Sequence, residues 1–240
     1  MVVNNETFCM SAEIAICKVY KCENMPDENR GDKDMIDKLM KVIIENKEKF
    51  GFKKLEYTGE KGCTVDFKDT ELNKTISIKT NLKNSDRICP QEIGQCTKQK
   101  FKEKLYLKIL NVDDPYNEID DKKIKEFILT HPKTLLPLYF DKLFCCDILI
   151  HIKPFKDTYE IKIIKKENLK ISKLKEIFKN EVFEFSKDKV ENWYESSTLY
   201  IKQEKRLSIG EFQIHEHRNC IKFRFNFKNL LTYLESKKLI

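Results

Sequence analysis

Just past Gly51 the chain changes its hydrophobic period, and that change limits what it can fold into. Before it, Asp32 to Lys49 repeats Met35, Leu39, Val42 and Ile43 at the spacing of one helix face, with Gly51 placed to end the helix. After it, the segments KKLEYTG, GCTVDF and KTISIKTN alternate apolar and polar residues, and are separated by Gly59 to Gly62 and by the polar stretch KDTELN. A period near 3.6 followed by a period of 2 predicts a helix and then an antiparallel meander. An earlier helix is expected over Ser11 to Cys22, with Ser11 as its N-cap.

Downstream, TKQKFKEKLYLKILN is helix-like, and charged helix is expected near Asp120 to Thr130 before the Pro-flanked HPKTLLPLYFDKLF. CDILIHI and TYEIKII form a second hairpin around the turn KPFKD, Ser172 to Asn180 reads as helix, and FQIH and CIKFRFNF are strands followed by KNLLTYLESKK. This order predicts an α/β or α+β fold, a central mixed sheet flanked by helices. A chain of 240 residues fits one elaborated domain about as well as two small ones, and one domain is the default expectation. No apolar run is long enough for a membrane helix and the N-terminus lacks the pattern of a signal peptide, so a cytoplasmic protein is expected. The nine cysteines are an odd, scattered set without paired metal-ligand spacing, which suits reduced, buried thiols. The net charge of +7 suits a polyanion partner, because Lys and Arg that neutralise phosphates release counterions.

Hydrolysis of a phosphodiester needs a divalent metal held by carboxylates and a cation near the attacking water. A β-hairpin can supply both, with one carboxylate on its first strand and a ligand and a lysine two residues apart on its second. Asp66 in GCTVDF, with Ser77 and Lys79 in ISIKTN, has this arrangement, and Ile76 and Ile78 point to the other face.

From about Gly59 to Gln95 the chain resembles the PD-(D/E)XK nuclease superfamily, best known from type II restriction endonucleases, in an S-x-K variant of its motif. Ser77 stands where the pattern has Asp or Glu. The resemblance implies a restriction-endonuclease-like fold and sequence-specific, Mg²⁺-dependent cleavage of double-stranded DNA by a homodimer. It implies a catalytic core over about 1–165 in which Asp66 and Glu92, thirteen residues after Lys79, hold Mg²⁺. The Ile78 carbonyl is a further ligand, Glu13 on the first helix a further candidate, and Lys79 the residue that orients or deprotonates the water. A second string, Asp147 followed by Glu160 and Lys162, formally completes D-x₁₂-E-x-K and competes for the same role.

Two stretches, about 85–105 and 205–230, carry residues suited to reading DNA. Gln91, Gln95 and Lys98 belong to the first; His215, His217, Arg218, Asn219, Lys222 and Arg224 belong to the second. Gln and Asn can contact adenine bidentately, Arg reads guanine, and Lys meets phosphate or guanine. A non-catalytic DNA-binding protein is the alternative, and a protein-interaction scaffold the third class.

Overall fold

The computed structural model describes residues 4–59, 64–82, 86–113, 119–215 and 218–240. Its helices are α1 (Asn5–Tyr20), α2 (Lys33–Glu45), α3 (Lys47–Phe50), α4 (Lys98–Phe101), α5 (Leu107–Leu110), α6 (Asp121–Thr130), α7 (Pro132–Leu143), α8 (Ile171–Asn180) and α9 (Phe227–Ser236). A π-helical turn, Lys102–Tyr106, joins α4 to α5. The strands are β1 (Leu55–Tyr57), β2 (Phe67–Asp69), β3 (Lys74–Thr80), β4 (Arg87–Ile88), β5 (Gln95–Cys96), β6 (Ile148–Phe155), β7 (Thr158–Lys165), β8 (Phe183–Phe185), β9 (Ser196–Ile201), β10 (Leu207–Ile214) and β11 (Ile221–Asn226). Two compact units result, Met1–Ser85 with Phe144–Asn168 and Asp86–Leu143 with Leu169–Ile240.

The first unit is a mixed five-stranded sheet in the order β1-β2-β3-β6-β7. The expected meander is present, since β1, β2 and β3 pair antiparallel in sequence. So is the second hairpin, β6 with β7. What joins them is a parallel ladder between β3 and β6, in which Ile76 faces Ile148 and Ile78 faces Ile150. A parallel pair needs a long crossover. Here the chain between the two strands runs through 86–143 of the second unit. Ile76, Ile78, Ile148, Ile150 and Ile152 share one core with Ile14, Ala15 and Cys17 of α1 and Leu39 and Ile43 of α2.

The helices end where local chemistry ends them. Asn4 caps α1 by accepting the Thr7 amide at 2.9 Å, Asp32 caps α2 by accepting the Met35 amide at 2.9 Å, and Gly51 closes α3 with φ at 65°. The strand expected over GCTVDF instead begins at Phe67 and runs to Asp69, so Asp66 stands just before it; residues 60–63 lie outside the described residues. The displacement has a cause in Asp69, which is wholly buried and faces inward. Its carboxylate accepts the amides of Lys53 at 2.7 Å, Glu71 at 3.1 Å and Leu72 at 3.0 Å, which ties the β2–β3 turn to the start of β1.

The second unit is built on an antiparallel sheet in the order β4-β11-β10-β9-β8, with β5 also paired to β11. Of the stretches 85–105 and 205–230, residues 86–105 and 205–230 belong to it. Among the described residues no helix is long and apolar enough to cross a membrane. None of the eight described cysteines forms a disulfide.

Replacing Asp69 removes the buried acceptor of at least three partly buried amides. Asp69→Ala is expected to destabilise the chain by about 3 kcal/mol, read as a lower urea midpoint at an unchanged slope, while Glu71→Ala on the exposed side of the turn stays within about 0.5 kcal/mol.

Candidate active site

The antiparallel register that pairs Phe67 with Ile76 continues one residue further, where the Asp66 amide donates to the Ile76 carbonyl at 2.9 Å. There β2 ends, and the Asp66 side chain takes over from its backbone. One carboxylate oxygen, Oδ2, accepts the Ile78 amide at 2.6 Å and the Ser77 hydroxyl at 3.0 Å. Asp66 is therefore fixed at its outer end by the very strand that carries the lysine. In an extended strand the amide and carbonyl of one residue lie on the same side. The Ile78 carbonyl thus faces the edge that Asp66 caps. Lys79 follows two residues after Ser77 on the same face of β3, partly exposed and without an ion pair among the described residues.

Glu13 enters this neighbourhood from α1. It is 5% exposed, and its two carboxylate oxygens accept the Cys9 thiol at 3.3 Å and the Tyr57 hydroxyl at 3.0 Å. The Tyr57 oxygen is also 3.0 Å from the Gly59 carbonyl, so one phenolic proton serves two acceptors. Burial, and then the Asp66 charge, push the Glu13 carboxyl up to about 7, against the opposing pull of Cys9, Tyr57 and Lys79. Burial and the negative charge of Glu13 hold the Cys9 thiol and the Tyr57 phenol in their protonated forms, in which both can donate.

Asp66, Ser77, Ile78, Lys79 and Glu13 thus come together within the first unit. Cys9 and Tyr57 complete the group without having been picked out from the sequence. Their signals were legible in retrospect, because Cys9 is one helical turn before Glu13, and the meander register sets Tyr57 opposite Phe67, beside Asp66. Glu92 belongs to the second unit, in a turn at a φ of 60°, where it pairs with Lys142 at 2.7 Å. That ion pair holds its carboxyl below the usual range.

The rival string does not converge. Register sets Glu160 opposite Lys153, whereas Asp147 precedes Ile148 at the far end of β6. Six residues of strand put about 20 Å between them. Each also has a structural partner. Asp147 accepts the Thr75 amide at 2.8 Å and its hydroxyl at 2.7 Å, at the start of the β3–β6 ladder, and Glu160 lies 3.4 Å from Lys153 and 3.6 Å from Lys162.

Two carboxylates crowded at one strand edge are the kind of donor set that a small divalent cation requires. Burial, and with it the repulsion from Asp66, raises Glu13, and such a cation would offset both. Among the described residues no three His, Cys, Asp or Glu side chains gather at metal-holding spacing. A carboxylate pair is nonetheless sufficient for Mg²⁺, which keeps several waters and takes the rest of its shell from a substrate phosphate.

In the second unit, sheet pairing joins the two stretches chosen for DNA reading. Gln95 of β5 is the register partner of Lys222 on β11, and the Asn219 side chain accepts the Lys98 amide at 3.1 Å. Arg218 and Asn219 are exposed beside them. Arg224 is committed elsewhere, donating to the buried Glu211 at 3.0 Å, which also takes Arg87 at 2.9 Å. His215 lies 3.9 Å from Glu195, Gln91 donates its amide to the Lys142 carbonyl at 3.2 Å, and His217 lies outside the described residues.

No family model matches the chain. It is 32% identical over 219 residues to the type II restriction enzyme CviAII of Paramecium bursaria Chlorella virus 1. The match takes in 91% of this chain and 57% of that enzyme, so the chain spans a little over half the length of the curated relative it matches.

The raised Glu13 carboxyl gives the metal-free chain a pH dependence with a definite sign. Its folded value, about 7, exceeds the unfolded one, so the native state binds the extra proton and the stabilisation is complete at low pH. Between about pH 4.5 and 7 this contribution, on the order of 3 kcal/mol, is lost as pH rises. Urea titrations without divalent metal are expected to show the loss, and Glu13→Gln to flatten it.

Proposed function

We propose that the chain carries the activity of a type II restriction enzyme: Mg²⁺-dependent hydrolysis of phosphodiester bonds in double-stranded DNA at a specific sequence. The observation that carries the proposal is the Asp66 carboxylate, tied to the Ile78 amide and the Ser77 hydroxyl, with Glu13 beside it and Lys79 two residues along the same strand face. The likeness to CviAII supports it independently.

Asp66 and Glu13 would hold the metal, with the Ile78 carbonyl facing the same edge. An ion held there would supply charge neutralisation at the scissile phosphate and a more acidic bound water. The work left to the chain is positional. Asp66 is held by Ile78 and Ser77 and so has little freedom to lose on binding. Ser77, in the place of a second carboxylate, serves as a donor to the first, and Glu13 supplies the missing negative charge from α1. Cys9 and Tyr57 orient Glu13 by donating to one oxygen each. Lys79 makes no ion pair among the described residues, which leaves its ammonium for the attacking water or a phosphate oxygen. Within the first unit Glu13, rather than Glu92, accompanies Asp66. Sequence reading falls to the second unit, where Gln95, Lys98, Asn219 and Lys222 are gathered by the β5–β11 pairing. A homodimer, two-fold matched to a palindromic site, belongs to the same proposal.

Supercoiled plasmid incubated with the chain and Mg²⁺ is expected to be nicked or linearised. Asp66→Ala and Lys79→Ala should each slow this by about a hundredfold or more while circular dichroism stays unchanged. Asp147→Ala and Glu160→Ala should retain cleavage if they fold. Retardation of DNA without cleavage by any of these proteins would instead favour a non-catalytic DNA-binding protein.

A further inference from the structure

The second unit contains a cleft of about 1100 Å³ that the cleavage site does not use. Its lining includes Lys98, Lys125, Trp193, Tyr194, Arg218 and Asn219, together with three carboxylates: Asp121, paired with Lys98; Asp120, which accepts the Lys123 amide at 2.7 Å; and Glu191. Two of the lining residues are buried, and their side-chain N–H groups have no acceptor among the described residues. Lys125 of α6 is 6% exposed, yet among the described residues no carboxylate or carbonyl takes its ammonium. Trp193 is 1% exposed, and its indole Nε1 has no hydrogen-bond partner. Leaving a cation or an N–H without an acceptor costs free energy, so such a group calls for a partner, whether a water, an ion or a ligand. Both residues line the same cleft, and one of them is charged, so the partner they suit is an anion with hydrogen-bond acceptors.

The neighbouring side chain narrows the class. Tyr194 adjoins Trp193 in the chain and also lines the cleft, but is 77% exposed, an aromatic face with no cover. An exposed aromatic face next to cationic side chains is the pairing that holds a base by stacking while its phosphate is neutralised. Arg218 adds a second cation and Asn219 an amide able to meet a base edge.

We propose that this cleft receives a single nucleotide, its base against Tyr194 and its phosphate at Lys125. A nucleotide turned out of bound duplex DNA and a free nucleotide share this chemistry; the first source rests on the DNA binding proposed above, the second does not. Extrusion of a base into such a pocket would let the chain read an edge that is paired within the helix.

Trp193 is the one tryptophan of the sequence, so its fluorescence reports on this cleft. The 240-residue chain, carrying Asp66→Ala so that DNA stays intact, is titrated with deoxyadenosine monophosphate, with inorganic phosphate, and with duplexes carrying 2-aminopurine at successive positions. Quenching by the mononucleotide is expected, weakened about tenfold or more by Lys125→Met and by Tyr194→Ala. Brightening of 2-aminopurine at one position of the duplex, lost in Tyr194→Ala, supports the DNA source. Quenching by the mononucleotide with silent duplexes supports the cleft with a free nucleotide as its ligand. Inorganic phosphate binding as tightly as the mononucleotide overturns the proposal, as does quenching that survives both substitutions. Absence of any response to mononucleotide and duplex overturns it too, whether or not the unsubstituted chain cleaves plasmid. Because Lys125 has no partner among the described residues, Lys125→Met should leave the melting temperature of the free chain unchanged or higher; a large fall would mark Lys125 as structural and likewise overturn it.

Discussion

The short bond from the Ile78 amide to the Asp66 carboxylate decides the local geometry of the first unit. It lies where the β2–β3 ladder stops, and it does for Ile78 what the next residue of β2 would have done. A buried strand amide needs an acceptor, and the chain provides a carboxylate instead of a carbonyl. One strand edge thereby ends without an orphaned donor and presents a fixed negative charge. The Ser77 hydroxyl adds to the hold, which gives a physical reason for serine at a position where the resemblance has a carboxylate. With Asp66 charged and immobile, a third carboxylate on the same edge would add only repulsion.

The two-residue period was enough to read Asp66, Ser77 and Lys79 off the sequence, because side-chain alternation on a strand is a local property. Choosing between this hairpin and the Asp147 string was not. Both set a lysine two residues after the second group, and the eleven residues from Asp66 to Ser77 and the thirteen from Asp147 to Glu160 each suit a hairpin; the difference lies in register: Asp66 falls opposite Ser77, whereas Asp147 falls six residues short of Glu160's partner. Register depends on where the turn closes, and the buried Asp69 closes the first turn. A polar stretch read as a loop therefore held the residue that fixes the strand, and the strand shifted toward it.

Longer-range features were less legible for the same reason. The parallel pairing of β3 with β6 joins segments separated by all of 81–147, and no periodicity reports which of several apolar strands will meet. The short strands β8 and β9 carry mixed polar sequence and went unmarked. The stretches chosen as DNA-reading elements were picked for chemistry alone, and their pairing through β5 and β11 follows from sheet formation. Arg224 shows the limit of such choices, since a composition suited to guanine is equally suited to Glu211.

Helix α1 supplies the part of the site that costs most. Glu13 sits in a helix whose neighbours Ala12, Ile14 and Ala15 are core residues, so its carboxylate is carried into an apolar layer by the packing of α1 on the sheet. Hydrophobic burial of the helix offsets that cost, and the two donors, Cys9 and Tyr57, reduce it without removing it. What remains is a carboxyl balanced near neutrality, pushed up by its surroundings and by Asp66. A carboxyl so poised gains more from a nearby cation than a solvated one does, because the cation restores the charge that burial suppresses. The fold thus keeps the second carboxylate partly protonated when no cation is present, and would make its ionisation part of binding the proposed one.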